Sequence, residues 1–167
     1  MAKSDTVKAR SGGGRRSAAR LAAVQALYQF EDGGEDIEKV ILEFLTHRPG
    51  ALVDQDGDDQ SYAETDHDMF ADVTRGTARR LNEIDKNLAA TLPSDWPVER
   101  IEKILRNIMR CGVYELQMRP DVPFRVIINE YVELARDFFG EDEPAMVNAV
   151  LDRIARRLRE EEQSRSK

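Results

Sequence analysis

A cationic cluster opens the first helix-forming segment of this acidic chain. Arg15, Arg16 and Arg20 begin a stretch that is otherwise apolar, "RRSAARLAAVQALYQF" over residues 15–30. Two arginines in a first helical turn are unfavourable in isolation, because the helix macrodipole is positive at that end. The N–H groups of the same turn can also bind a phosphate. The spacing therefore leaves two interpretations open, a solvated helix end or a site for an external polyanion.

Charge is distributed unevenly along the 167 residues, whose net charge is −7. Residues 1–20 contain six basic groups and one acidic group, whereas residues 31–72 contain fourteen acidic and two basic groups. The segment 153–167 is basic again, with six basic and three acidic groups. Nucleic-acid binding depends on the local patch and not on the total charge. The acidity of the chain therefore does not exclude a nucleic-acid partner.

Cysteine content and hydropathy indicate the compartment. Cys111 is the single cysteine, which excludes an intrachain disulfide and a multi-cysteine zinc site and is typical of a reducing compartment. The first twenty residues contain no apolar signal-peptide core, and no apolar run approaches the ~18 residues that a membrane span requires. We therefore expect a cytoplasmic protein without a membrane-spanning segment.

Apolar residues recur at helical spacing along most of the chain, and no segment shows sustained strand alternation. The spacing predicts about seven helices in a bundle-like, all-α domain. Asp36 is expected to cap the second helix, Gly76 to divide a helical region into two, and Pro97 to begin a helix capped by Asp95 or Trp96. The helices are expected near residues 15–31, 37–46, 66–76, 77–90, 97–118, 124–139 and 144–158.

The remaining segments are predicted to lack regular structure. Residues 1–14 form a flexible basic arm that ends in three glycines, residues 47–61 lie in an acidic loop, and residues 161–167 form a disordered tail. The helical domain between the arm and the tail spans residues 15–160.

Residues with catalytic or metal-binding potential are sparse and poorly spaced. The acidic segment "DQDGDDQSYAET" resembles a calcium loop in composition, but Gly57 stands at position four instead of six and Thr65 at position twelve. His47 and His67 are separated by the long loop, and Cys111 lies on an apolar helix face, where a buried thiol is favoured over a nucleophile. The sequence thus predicts no catalytic site, metal site or cofactor.

Several ordered blocks together carry a family resemblance, "ARLAAVQALYQF", "LNEID", "RCGVYELQMRPDVPFRVIINEYVELARDFFGEDE" and "VNAVLD". From about Arg15 to Leu158 the chain resembles the NusB family of bacterial transcription antitermination factors. The resemblance implies seven helices in two small subbundles and a non-enzymatic role. Such proteins pair with NusE, a ribosomal protein, and bind the single-stranded boxA element of nascent RNA. With NusA and NusG they let RNA polymerase read through terminators, notably in ribosomal RNA operons.

The resemblance also implies which residues contact the partners. Where the family usually has Phe before "VN", this chain has Met146, so an aromatic stacking contribution of ~1–3 kcal/mol is expected to be weaker. Tyr131 replaces a residue that is commonly small, and we expect this to affect packing only. The implied RNA contacts are Arg15, Arg16, Arg20, Gln25, Tyr28, Phe139, Asp142 and Met146. The implied NusE-facing residues are Asn82, Glu83, Arg106 and Arg110.

Other functions fit the sequence less well. A NusB-like domain also precedes the catalytic domain of some ribosomal RNA cytosine methyltransferases, but this chain has neither a Gly-rich methionine-cofactor motif nor a catalytic cysteine in a loop. A helical adaptor that binds proteins of the transcription complex without touching RNA is the alternative. Some family members dimerise and others do not, so a homodimer remains open.

Overall fold

Helices form wherever the apolar residues recur at helical spacing. The computed structural model describes residues 14–47 and 66–165, and within these ranges it contains seven α-helices, one short 3-10 turn and no strand. The all-α prediction is therefore confirmed. The helices are α1 (Gly14–Gly33), α2 (Ile37–His47), α3 (His67–Arg79), α4 (Leu81–Thr91), α5 (Lys103–Met118), α6 (Phe124–Phe138) and α7 (Asp142–Arg165), with the 3-10 turn at Val98–Arg100.

The helices divide between two compact units. The first unit ends at Arg75 and the second begins at Gly76, so the boundary lies inside α3. The first unit contains α1, α2 and most of α3, and the second contains the end of α3 with α4 to α7. This division agrees with the two small subbundles that the resemblance implies.

Small apolar side chains make α1 a buried helix in the first unit. Ala19, Ala23, Val24, Ala26 and Leu27 are each at most 1% exposed, and α2 packs against α1. Because these residues surround the helix axis, α1 has no wide polar face, as the sequence predicted. Charged residues of α1 are therefore confined mainly to its ends.

Two contacts join α2 to α3 within the first unit. The rings of Phe44 and Phe70 stack with centroids 5.7 Å apart and an interplanar angle of 26°. The Arg75 guanidinium donates to both carboxylate oxygens of Glu38, at 2.5 Å from Nε and 2.9 Å from Nη2. The hydrogen bond to Glu38 raises the pKa of Arg75 above its ordinary value. A planar fork of this kind fixes orientation as well as distance.

The expected helix break at Gly76 is wrong, because α3 continues to Arg79 and the chain bends at Arg80. Gly76 serves close packing instead. A Cβ atom placed there would overlap the ring of Tyr114 on α5, and Tyr114 is itself buried. The helix thus retains an unfavourable glycine because the ring of α5 occupies the space of a side chain.

The predicted helix start at Pro97 is also wrong. Pro97 precedes only the 3-10 turn, after which Ile101 adopts an extended conformation. The helix α5 begins at Lys103, and its cap is Glu102, whose carboxylate accepts from the backbone N–H groups of Ile104 at 3.1 Å and Leu105 at 3.3 Å. A side chain that satisfies two otherwise unpaired N–H groups defines a helix start more strongly than proline does.

The helix α5 is the centre of the second unit, where it packs against α4, α6 and α7. Every residue from Asn107 to Leu116 is buried, including four with polar or ionisable side chains besides Cys111. Burial raises the pKa of the Cys111 thiol far above its ordinary value, so the thiol stays protonated and packs as a small hydrophobe. This outcome matches the sequence-based interpretation of Cys111.

Two of the buried polar residues of α5 are paired with neighbouring helices. Tyr131 on α6 is fully buried and donates its hydroxyl hydrogen bond to the Glu115 carboxylate. Arg110 donates to both carboxylate oxygens of Asp85 on α4, at 2.8 and 2.7 Å. Tyr131 therefore does more than fill space, which corrects the expectation that it affects packing only.

The last two helices, α6 and α7, form a hairpin with a short connecting turn. Phe139 follows α6 as an extended residue whose N–H donates to the carbonyl of Ala135 at 2.9 Å, and α7 begins at Asp142. The backbone of α7 extends through Arg165, so residues 161–165 continue a helix where a disordered tail was expected. The predicted basic arm, apart from its last residue, and the acidic loop beyond His47 lie outside the described residues.

We expect Gly76→Ala to lower the free energy of unfolding by about 1–3 kcal/mol, since the added methyl overlaps the Tyr114 ring. Gly33→Ala is the matched control, because a Cβ at Gly33 meets nothing within 4 Å and alanine favours a helix. Urea denaturation followed by circular dichroism measures both. Equal stability of the two variants would contradict the packing role of Gly76.

Candidate nucleic-acid interface

The first turn of α1 presents two exposed arginines, Arg15 and Arg16. No acidic side chain lies in this turn, and the carbonyl of Arg15 accepts a hydrogen bond from the N–H of Asp66 at 3.2 Å. Asp66 in turn caps α3, since its carboxylate accepts from the N–H of Met69 at 2.9 Å. The start of α1 is thus held against the start of α3 within one unit, and the side chains of Arg15 and Arg16 lie at the surface there.

The third arginine of the predicted cluster is in a different environment. Arg20 is only 5% exposed, although it lies little more than one turn beyond Arg16. A guanidinium retains its charge when buried and must then be satisfied by interior groups. The structure therefore separates Arg20 from the exposed pair, and the sequence pattern of three arginines does not form one surface cluster.

Further along α1, Tyr28 is 38% exposed. Twelve residues separate Tyr28 from Arg16, which corresponds to ~18 Å along a helix. Gln25 is half-buried, and its neighbour Gln29 donates to the Glu43 carboxylate of α2 at 3.1 Å. The partial exposure of Tyr28 excludes it from the fully buried core of the first unit.

The turn between α6 and α7 holds the second part of the predicted RNA-contacting set. Asp142 is exposed at the first residue of α7, while Phe139 and Met146 are half-buried. Phe138, the last residue of α6, is 36% exposed, and its ring centroid lies 6.4 Å from that of Phe139. Sequence reasoning missed Phe138, although the Phe-Phe doublet before Gly140 could have indicated it.

The predicted RNA-contacting residues are divided between the two units. Arg15, Arg16, Arg20, Gln25 and Tyr28 lie in the first unit, and Phe139, Asp142 and Met146 lie in the second. Each unit therefore offers its own combination of chemistry. The first supplies exposed cations and one phenol ring, and the second supplies two phenyl rings, a thioether and an exposed carboxylate.

The predicted NusE-facing residues differ widely in exposure. Asn82 and Glu83 are exposed at the first turn of α4, and Arg106 is half-buried with one guanidinium nitrogen 3.4 Å from the carbonyl of Val98. Arg110 is 4% exposed, and besides its fork to Asp85 it donates to the Asn107 side-chain oxygen at 3.1 Å. Its guanidinium is therefore directed to the interior of the second unit, which corrects its expected placement on a docking surface.

Within residues 14–47 and 66–165, no group of three or more His, Cys, Asp or Glu side chains is placed to hold a metal ion. None of the helices in the part of the chain that the structure describes has the length and apolarity to cross a membrane.

These features define a class, an all-helical protein that presents exposed arginines and aromatic rings at helix ends. Known proteins identify the family. The family model described as "NusB family" matches residues 17–156. The chain is 46% identical over 147 residues to the transcription antitermination protein NusB of Agrobacterium fabrum, covering 88% of this chain and 87% of the relative. It is also 46% identical over 151 residues to the NusB protein of Rhodopseudomonas palustris, covering 90% and 87%. The chain belongs to the NusB family of transcription antitermination proteins.

Solved structures support the same fold. T. maritima NusB superimposes with a TM-score of 0.67 at 30% identity, covering 84% of this chain and 90% of that chain. A structure of the antitermination factors NusB and NusE in complex with dsRNA contains a chain that matches with a TM-score of 0.66 at 21% identity, covering 84% and 95%. At that lower identity the likeness concerns the fold alone.

We expect Arg110→Met to destabilise the protein by about 1–3 kcal/mol, because it removes the donor of a part-buried ion pair with Asp85 and leaves the buried Asn107 side-chain oxygen without that donor. Arg106→Met is the matched control, since Arg106 is more exposed and its carbonyl contact is long, and we expect it to cost less than half as much. Urea denaturation of both variants measures the difference. An Arg110→Met variant as stable as the control would show that the fork to Asp85 contributes little.

Proposed function

We propose that this protein is a non-enzymatic transcription antitermination factor that binds boxA-type single-stranded RNA together with NusE and promotes readthrough in ribosomal RNA operons. The observation that carries the proposal is the exposed Arg15–Arg16 pair at the start of an otherwise buried helix in a chain of the NusB family. An exposed cationic end on a helix without a polar face is expected where an external anion is the partner.

The RNA-binding proposal rests on phosphate contacts and stacking. Arg15 and Arg16 neutralise phosphates, which makes the affinity depend on salt. Tyr28 in the first unit and Phe138 and Phe139 in the second have rings on which unpaired bases can stack. The acidic segment 31–72 repels nucleic acid, so nonspecific binding there is disfavoured.

The NusE proposal rests on charge and on a relative. A solved NusB is in complex with NusE and dsRNA, and an acidic protein attracts a basic ribosomal protein through complementary potential. The exposed Asn82 and Glu83 on α4 are the favoured contacts, and the half-buried Arg106 on α5 is a further candidate. NusA, NusG and RNA polymerase complete the proposed complex. An adaptor without RNA contact is the alternative that the following experiment distinguishes.

We expect Arg15→Ala/Arg16→Ala to weaken binding of a boxA RNA about tenfold and to reduce the slope of log affinity against log salt by about 1.4, since each single-strand phosphate contact contributes about 0.7. Lys39→Ala/Lys86→Ala, which removes two exposed charges on α2 and α4, is the matched control and leaves both unchanged. Fluorescence anisotropy with and without NusE, at two salt concentrations, measures both quantities. Wild-type binding by the arginine variant would refute the site, and no binding in any condition would favour the adaptor.

We expect Met146→Phe to tighten RNA binding by a factor of up to about ten, because an aromatic ring adds part of a stacking interaction worth ~1–3 kcal/mol. Met146 is half-buried near the start of α7. The control is Met118→Phe, at a methionine that is 42% exposed at the end of α5. If the Met118 variant gains as much affinity as the Met146 variant, position 146 does not contact a base.

A further inference from the structure

An arginine-lined groove lies between α6 and α7, entirely within the second unit. Its volume is about 1090 Å³, and its lining on α6 runs from Phe124 to Arg136, which corresponds to ~18 Å along the helix. On α7 the lining runs from Gly140 in the connecting turn to Arg156. The groove contains none of the residues that the family resemblance assigns to RNA, because Phe139, Asp142 and Met146 are absent from its lining.

The polar lining of the groove favours phosphate. Arg125, Arg136 and Arg156 line it together with the exposed amides of Asn129 and Asn148. Guanidinium groups bind phosphate through paired, planar hydrogen bonds, and an amide offers both a donor and acceptors to a base edge. The combination is suited to single-stranded RNA, whose bases are read on their exposed edges.

Two arginines of the groove, Arg136 and Arg156, form ion pairs in which a phosphate can replace the carboxylate. Arg136 pairs with Glu133 and Arg156 with Asp152, both within one helix, and the two arginine side chains are 60% and 73% exposed. Exposed intrahelical pairs contribute little to stability, so a phosphate can replace the carboxylate at small cost.

Charge is graded along the groove. Arg125 and Arg156 lie at the end remote from the turn, where Arg159 also stacks over the Phe124 ring at 5.6 Å from its centroid. The acidic members of the lining are Glu141 at the turn and Asp152, which is already paired with Arg156. The excess of positive charge therefore lies at the end remote from the turn.

We propose that this α6–α7 groove is a second RNA-binding surface, which receives the backbone of the strand outside the boxA element itself. The inference rests on the proposed RNA-binding function. The groove adjoins the RNA-contacting turn of the proposed function, since Gly140 and Glu141 of its lining lie in the chain between Phe139 and Asp142. A strand that stacks on the turn can continue into the groove, where three guanidinium groups neutralise its phosphates.

The test compares two RNAs on the full chain with NusE, one limited to the boxA element and one extended by unpaired uridines at either end. Arg125→Gln/Arg136→Gln/Arg156→Gln is expected to weaken binding of the extended RNA at least fivefold and to lower its salt slope by about 2. Binding of the short RNA stays within twofold of wild type. The control Lys39→Gln/Lys86→Gln/Arg100→Gln removes the same charge from exposed positions elsewhere and leaves both RNAs unaffected.

Three outcomes would overturn the inference. The groove variant and the control could weaken the extended RNA equally, which would indicate a general charge effect. The extended RNA could bind wild type no more tightly than the short one, or an acidic peptide could bind the groove arginines without displacing the extended RNA. Failure of the proposed function itself has a different signature, because then neither RNA binds the wild-type complex. Thermal unfolding by circular dichroism verifies that every variant is folded.

Discussion

The second unit depends on the burial of α5, whose Arg110 and Glu115 side chains are held by partners on neighbouring helices. Arg110 donates to Asp85 on α4, and Glu115 accepts from Tyr131 on α6. On the side of α7, Gly112 leaves room for Leu151, whose Cδ1 would lie 2.7 Å from an added Cβ. Because losing the partner of a buried polar group is costly, these pairs stabilise the positions of α4 and α6 against α5, and the close contact at Gly112 lets α7 approach closely.

That arrangement determines what the α6–α7 hairpin can present. Tyr131, directed inward to Glu115, and Phe138 lie on the same face of α6, and Phe138 is exposed because it is the last residue of the helix. Asn129 and Arg136 lie on a different face, which lines the groove. In the first unit, small apolar side chains bury most of α1, and its exposed charged residues therefore lie near its ends. In both units a buried helix defines where the chemistry for RNA is accessible.

The fold could be predicted from the sequence to the extent that it depends on local patterns. Apolar periodicity located the helices, and the ordered blocks indicated the family. The continuation of α3 through Gly76 could not be predicted, because that glycine packs against the ring of Tyr114, which is distant in the sequence. The start of α5 at Lys103 was missed because its cap is Glu102, and glutamate is not among the residues that usually cap a helix. The sequence also could not predict which long side chains are exposed and which are buried. Arg110 is buried by a partner 25 positions away, while Arg15 and Arg20 look alike in the sequence and differ in burial.

Cross-linking locates the RNA most directly. A boxA RNA with 4-thiouridine at each uridine in turn is irradiated with the full chain and NusE, and the cross-linked peptides are identified by mass spectrometry. We expect cross-links to the segment of α1 from its start to Tyr28 and to the α6–α7 turn around Phe138 and Phe139. Cross-links confined to α2 or α4, or to NusE alone, would contradict it.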